Sequence, residues 1–187
     1  MSGHSHARTI KHQKELTDQK RGQMFSKMAR VISVAVKEGG PNPETNNKLK
    51  VAMEQAKQFN MPKENIERAI KQATGRGEGA NLIEVVFEAY GPGGIAIIIE
   101  GITDNKNRAL GEIKQILNQN RGKLVGEGGV RWLFERKVKI EEPGSLEWAA
   151  KQDVEVSEKD KESCQKLFEA LDENEAVQEI YSNMKLS

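Results

Sequence analysis

The sequence predicts an α+β protein, a basic N-terminal three-helix domain followed by an antiparallel-sheet α/β sandwich. Apolar residues recur at helical spacing through the first third of the chain, and β-branched and aromatic runs replace them after residue 80. Charge is sorted as well: residues 1–77 carry 15 Lys and Arg against 7 Asp and Glu, residues 78–140 carry 9 against 8, and residues 141–187 carry 5 against 13. A net charge of +1 therefore hides a basic front and an acidic back. Clustered cations of this kind are the electrostatic footprint of a protein that meets phosphate backbones.

Residues 1–16 hold only Ile10 and Leu16 as large apolar side chains and read as a flexible basic arm. Residues 17–77 form the helical bundle. Its first helix, residues 17–38, buries Met24, Phe25, Met28, Val31, Ile32, Ala35 and Val36, sets Lys20, Lys27, Arg30 and Lys37 on another arc, and stops at Gly39 and Gly40. Asn42, Pro43 and Glu44 supply the cap, first-turn proline and first-turn acid of a second helix with a Leu49, Ala52, Met53, Ala56 and Phe59 stripe. A third begins at Pro62, with Ile66, Ala69, Ile70 and Ala73 inward and the pairs Glu64/Arg68 and Glu67/Lys71 outside.

Gly75, Gly77 and Gly79 mark the hinge to a sandwich spanning residues 78–187. Residues 84–90 and 95–103 read as a hairpin around Gly91, Pro92, Gly93 and Gly94. Asp104 caps a helix that buries Leu110, Ile113, Ile116 and Leu117, and residues 130–135 and 138–141 read as strands that place Trp132 in the core. Residues 141–153 are a connector with a helical turn at 146–150, followed by a short strand at Val154 and Val156. Ser157 and Asp160 open a helix carrying Cys164, Leu167, Phe168 and Leu171, and residues 177–181 close as a strand.

No apolar run exceeds residues 95–99, and the first residues lack the apolar core of a secretory signal, so the expectation is a cytoplasmic protein with no membrane contact. One cysteine allows no internal disulfide, and three histidines, His4, His6 and His12, without patterned carboxylates give no metal site; no cofactor is expected.

Seven ordered motifs carry a family resemblance: Gly3-His4-Ser5, Ile10-Lys11-His12, Lys20-Arg21-Gly22, the run from Asn60 through Ile70, Tyr90-Gly91-Pro92-Gly93-Gly94, the run from Thr103 through Arg108, and the run from Val177 through Asn183. Together these resemble the YebC/PmpR family, which includes the mitochondrial translational activator of cytochrome oxidase subunit I. The resemblance implies a non-enzymatic regulator of gene expression; members are described as probable transcriptional regulators that bind DNA, and some as ribosome-associated factors that relieve stalling on proline-rich chains. It also implies a third domain inserted after the strand near residue 140, whose place residues 141–153 take here. The family's Lys and Trp after the opening Gly-His-Ser are replaced by His6 and Ala7.

The nucleic-acid candidates are Arg8, Lys11, His12, Lys14, Lys20, Arg21, Lys27 and Arg30, which position a phosphate backbone but read no bases. The bland alternative is a solvated helix face. Asn105, Lys106 and Arg108 place two cations in the first turn of a helix, where the macrodipole disfavours them, and are a candidate anion or partner site; the alternative is a plain Asp104/Arg108 pair. The leading expectation is a monomer that binds DNA, and the alternative is a factor bound to ribosomal RNA. An enzyme lacks convergent acid, base and nucleophile groups, and a pure protein-interaction module would use the acidic helix near residues 158–171.

Overall fold

The computed structural model describes residues 17–75, 81–140 and 144–186. Helices α1 (Asp18–Gly39), α2 (Asn47–Gln58) and α3 (Lys63–Thr74) bury Ile32, Ala35, Val36, Leu49, Ala52, Ala56, Ile66 and Ala69 against one another. Thr17 caps α1 by accepting from Lys20 N. The second cap differs from expectation. Residues 42–45 form a turn and Asn46 caps α2, its Oδ1 accepting from Leu49 N at 3.0 Å while its Nδ2 donates to Ala35 O and Gly40 O at 2.7 and 2.8 Å. Asn42 and Pro43 match the cap pattern, but the buried Asn46 also satisfies carbonyls at the end of α1, which no local pattern encodes.

The sheet runs β3 (Lys123–Val125), β1 (Ile83–Tyr90), β2 (Ala96–Thr103) and β6 (Val177–Ser182), all antiparallel, with the predicted β1–β2 hairpin in register from Ile83↔Thr103 to Tyr90↔Ala96. Central strand β2 is apolar on both sides because both sides are covered. Ile97 and Ile99 face α4 (Lys106–Gln119) and α5 (Glu158–Glu173), in a core shared with Phe87, Ile113, Leu117, Cys164, Leu167 and Leu171. Ile98 and Ala96 face the other way, onto Phe134, Val130 and Tyr181. Each fully buried isoleucine contributes about 1.5–3 kcal/mol of transfer free energy. At Gly101 the β2–β6 register shifts, and Ala176 O approaches so closely that a Cβ there would stand 2.6 Å from it.

Three expectations fail around the second cover. Residues 131–133 are a 3₁₀ turn, so the single strand β4 (Phe134–Val138) replaces the two expected at 130–135 and 138–141, whose last residue lies outside the described residues, and Trp132 is 64% exposed rather than in the core. The expected helical turn at 146–150 is instead β5 (Leu146–Ala150), paired with β4 from Phe134↔Ala150 to Val138↔Leu146. Trp148 alternates inward on β5 and packs on the sheet, a tertiary contact that overrides the helical composition of Leu, Glu, Trp and Ala. Third, the expected strand at Val154 and Val156 reduces to one parallel bridge, Val154↔Met184.

Candidate nucleic-acid interface

The eight cations singled out from the sequence separate into three groups. Arg8, Lys11, His12 and Lys14 lie outside the described residues. Lys20 and Arg21 stand exposed on the first turns of α1, Arg21 3.6 Å from the fully exposed Asp18. Lys27 and Arg30 are engaged within the fold. Lys27 is only 5% exposed; its Nζ donates to the carbonyl oxygen of Asp172 and lies 3.2 Å from that residue's carboxylate. Arg30 Nη1 donates to Ile102 O at 2.8 Å and Nη2 sits 3.3 Å from Glu175. Helical spacing shows that these residues share an arc but not what covers it, and here the acidic corner between α5 and β6 covers it.

Four further exposed cations of this unit have no carboxylate partner among the described residues. Lys50 and Lys57 lie two turns apart on α2, away from buried Leu49, Ala52 and Ala56, and Arg68 and Lys71 lie on the outer side of α3. With Lys20, none of them forms a salt bridge to another described residue; the expected Glu64/Arg68 and Glu67/Lys71 pairs are absent, and Glu67 instead lies 3.6 Å from Lys63. The sequence signal for Lys50 and Lys57 is a seven-residue spacing opposite the apolar stripe. By contrast Lys48 is neutralised by Glu38 and Glu84 at 2.8 and 3.0 Å.

The start of α4 has the alternative arrangement. Asn105, not Asp104, is the cap, accepting from Arg108 N at 3.0 Å, which leaves Asp104 free to hold the Arg108 guanidinium at 2.6 Å. Glu112 and Glu175 approach the same guanidinium at 3.8 and 4.0 Å. Three carboxylates around one arginine offset its charge toward an incoming anion, and Lys106 stands exposed beside them.

Two features of the second cover have no sequence signal. A cleft of about 710 Å³ separates the helical unit from the β4–β5 hairpin, with Val86, Glu100 and Ile102 as floor and Met28, Phe59 and Trp148 on its walls. Beside it, Glu88 is a buried carboxylate in mid-strand. Its oxygens accept from Gly128 N, Val130 N and Arg131 N at 2.8, 2.9 and 2.8 Å, and Arg131 Nη2 lies 3.3 Å away. Burial pushes this carboxyl up, but the three N–H donors and the guanidinium outweigh it and hold it below the usual range.

Among the described residues no helix is long and apolar enough to cross a membrane, and no group of three or more His, Cys, Asp or Glu residues gathers to hold a metal ion.

The fold and this cation surface define an α+β protein with a basic helical unit docked on a two-sided sheet. Residues 5–76 match the TACO1/YebC protein N-terminal domain, and residues 82–144 and 139–184 match the TACO1/YebC second and third domain. The chain belongs to the TACO1/YebC family. A probable transcriptional regulatory protein of Caldanaerobacter subterraneus subsp. tengcongensis is 54% identical over 136 residues, 73% of this chain and 56% of its own length. One of Chlorobium phaeobacteroides is 50% identical over 143 residues, 76% of this chain and 57% of its length. The chain thus spans little more than half of these relatives. A third, of Thermoanaerobacter pseudethanolicus, is 37% identical across 100% of this chain and 98% of its own, the 187 residues being spread over 240 aligned positions. That relative carries internal length that this chain lacks. The crystal structure of a conserved hypothetical protein, Aq1575 from Aquifex aeolicus, superposes with a TM-score of 0.83 at 34% identity, covering 94% of this chain and 95% of that one.

Proposed function

We propose that this protein is a non-enzymatic regulator of gene expression that grips DNA through its basic helical unit, with the cations of residues 1–16 adding to the hold. The observation that carries this reading is the set Lys20, Lys50, Lys57, Arg68 and Lys71, exposed and without carboxylate partners among the described residues. Such cations displace condensed counterions from a phosphate backbone and need no base contact. The names of the relatives, probable transcriptional regulatory proteins, support DNA as the polymer. Ribosomal RNA is the second reading. It is favoured by the outer face of α3, where Glu64 and Glu67 alternate with Arg68 and Lys71 and give no clean groove-reading surface.

Fluorescence anisotropy with a labelled DNA duplex across a salt series tests the first reading, and cosedimentation with ribosomes at physiological salt tests the second. For the DNA reading, the combined variant Lys50→Gln, Lys57→Gln, Arg68→Gln and Lys71→Gln should flatten the log K against log salt slope by about 0.9 for each phosphate no longer neutralised. A wild-type protein that binds neither polymer in dilute buffer overturns the reading.

A further inference from the structure

We infer that the acidic corner between α5 and β6 is an internal competitor for phosphate: it occupies two cations of α1, and a bound polyphosphate displaces it and releases the helical unit from the sheet. The inference rests on the nucleic-acid reading above and adds to it a conformational response.

The seam between α1 and the sheet has the composition of a contact that can exchange. Its apolar part is small, Val34 against Leu82 and Ile102 with Val31 at the margin. The remainder is polar: Lys27 to the carbonyl and carboxylate of Asp172, Arg30 to Ile102 O and Glu175, Gln178 Nε2 to Lys27 O at 3.2 Å, Lys37 Nζ to Leu82 O at 3.5 Å and, from α2, Lys48 to Glu84 at 3.0 Å. The open cleft runs along the same seam, lined by Lys27, Met28 and Val31 on one side and by Ile102 and Gln178 on the other, so the two units touch along part of their facing surfaces. Small, polar interfaces within a chain permit relative motion of the parts.

Charge supplies the direction. Lys27 and Arg30 continue the arc that begins with the exposed Lys20, and Asp172 and Glu175 present carboxylate oxygens to them as a phosphate would. A polyphosphate that extends from Lys20 along this arc, about 15 Å to Arg30, brings dense negative charge against Glu175, whose side chain is 68% exposed, and offers the buried Lys27 and half-buried Arg30 alternative oxygens. The acidic character of residues 141–187 then weakens binding by the closed form.

The test uses the full chain, a fluorescein-labelled DNA duplex of about 20 base pairs, long enough to span two helical turns, and an RNA duplex of the same sequence. Asp172→Asn with Glu175→Gln is compared with wild type and with a charge-matched control, Asp153→Asn with Glu162→Gln, each confirmed folded by thermal melting. The expected result is at least a roughly five-fold tighter complex for the corner variant than for the control, because the variant has no closed form to open before phosphate takes Lys27 and Arg30. Equal affinity for the corner variant and the control, with wild type binding, overturns the inference alone. Failure of all three proteins to bind either duplex overturns the nucleic-acid reading and this inference with it. Amide exchange in wild type is the second readout: saturating duplex should speed exchange of Leu82 and Ile102, and unchanged or slower exchange there overturns the release.

Discussion

Glu88 and Arg131 meet twice, once through the Arg131 backbone N–H at 2.8 Å and once through its guanidinium at 3.3 Å. That double contact, with Gly128 N and Val130 N on the same carboxylate, ties the loop before the β4–β5 hairpin to the middle of β1. Replacing Glu88 by Ala leaves three donors and a half-buried guanidinium without their acceptor, so the variant should lose about 3–5 kcal/mol of stability. Urea unfolding measures it. Because the folded carboxyl titrates below its usual range, its contribution is complete above about pH 4.3 and is lost as pH falls through the depressed folded value. Stability of wild type should therefore drop more steeply than that of Glu88→Gln between neutral pH and acid.

Asn46 joins the end of α1 to the start of α2 with three hydrogen bonds, and a Cβ on Gly39 would lie 2.7 Å from its side chain. Asn46→Ala should cost about 2–3 kcal/mol, the cap plus unsatisfied buried groups. Asn46→Asp keeps the acceptor for Leu49 N but sets a buried carboxylate oxygen against the Ala35 and Gly40 carbonyls, and at neutral pH its thermal midpoint should fall to or below that of Asn46→Ala.

Cys164 is buried, its Sγ 3.4 Å from Pro92 O, and burial with the nearby Asp160 charge pushes its thiol up to about 11. Thiolate is the reactive form, so a disulfide reagent at neutral pH should leave the native protein unmodified over minutes and label it at once in denaturant. Rapid native labelling would contradict this packing.

The two tryptophans report opposite environments. Trp132 is 64% exposed, with Nε1 bonded to Gly129 O at 3.1 Å; Trp148 is half-buried, with Nε1 on Glu100 at 2.8 Å and the Arg136 guanidinium 4.5 Å from its ring centroid. Trp148→Phe should leave red-shifted fluorescence that acrylamide quenches readily. Trp132→Phe should leave a bluer, less accessible emission.

Local patterns locate most elements because the physics there is local. Helical spacing finds α1 through α5, and the Gly91 to Gly94 turn between β-branched runs finds the central hairpin. What the sequence hides is decided by distant partners. Trp132 lies in a segment that reads as a strand and Trp148 in one that reads as a helical turn, and it is the sheet beneath Trp148 that decides which of the two is covered. Lys20 and Lys27 sit on one arc of α1, yet Asp172, 145 residues further on, buries the second. The cations of the site are legible as charge; which of them face solvent is not.

Beyond the paired ends of β4 and β5, Lys139 N donates to Ser145 O at 2.9 Å, and the two family matches to the sheet region overlap there, at residues 139–144. A chain that leaves and re-enters a fold at adjacent points can carry extra length as a side branch. Longer relatives can thus host a whole appendage at this position while the sheet below keeps its register, and an engineer can splice a fluorescent reporter into the same gap without rewiring the rest.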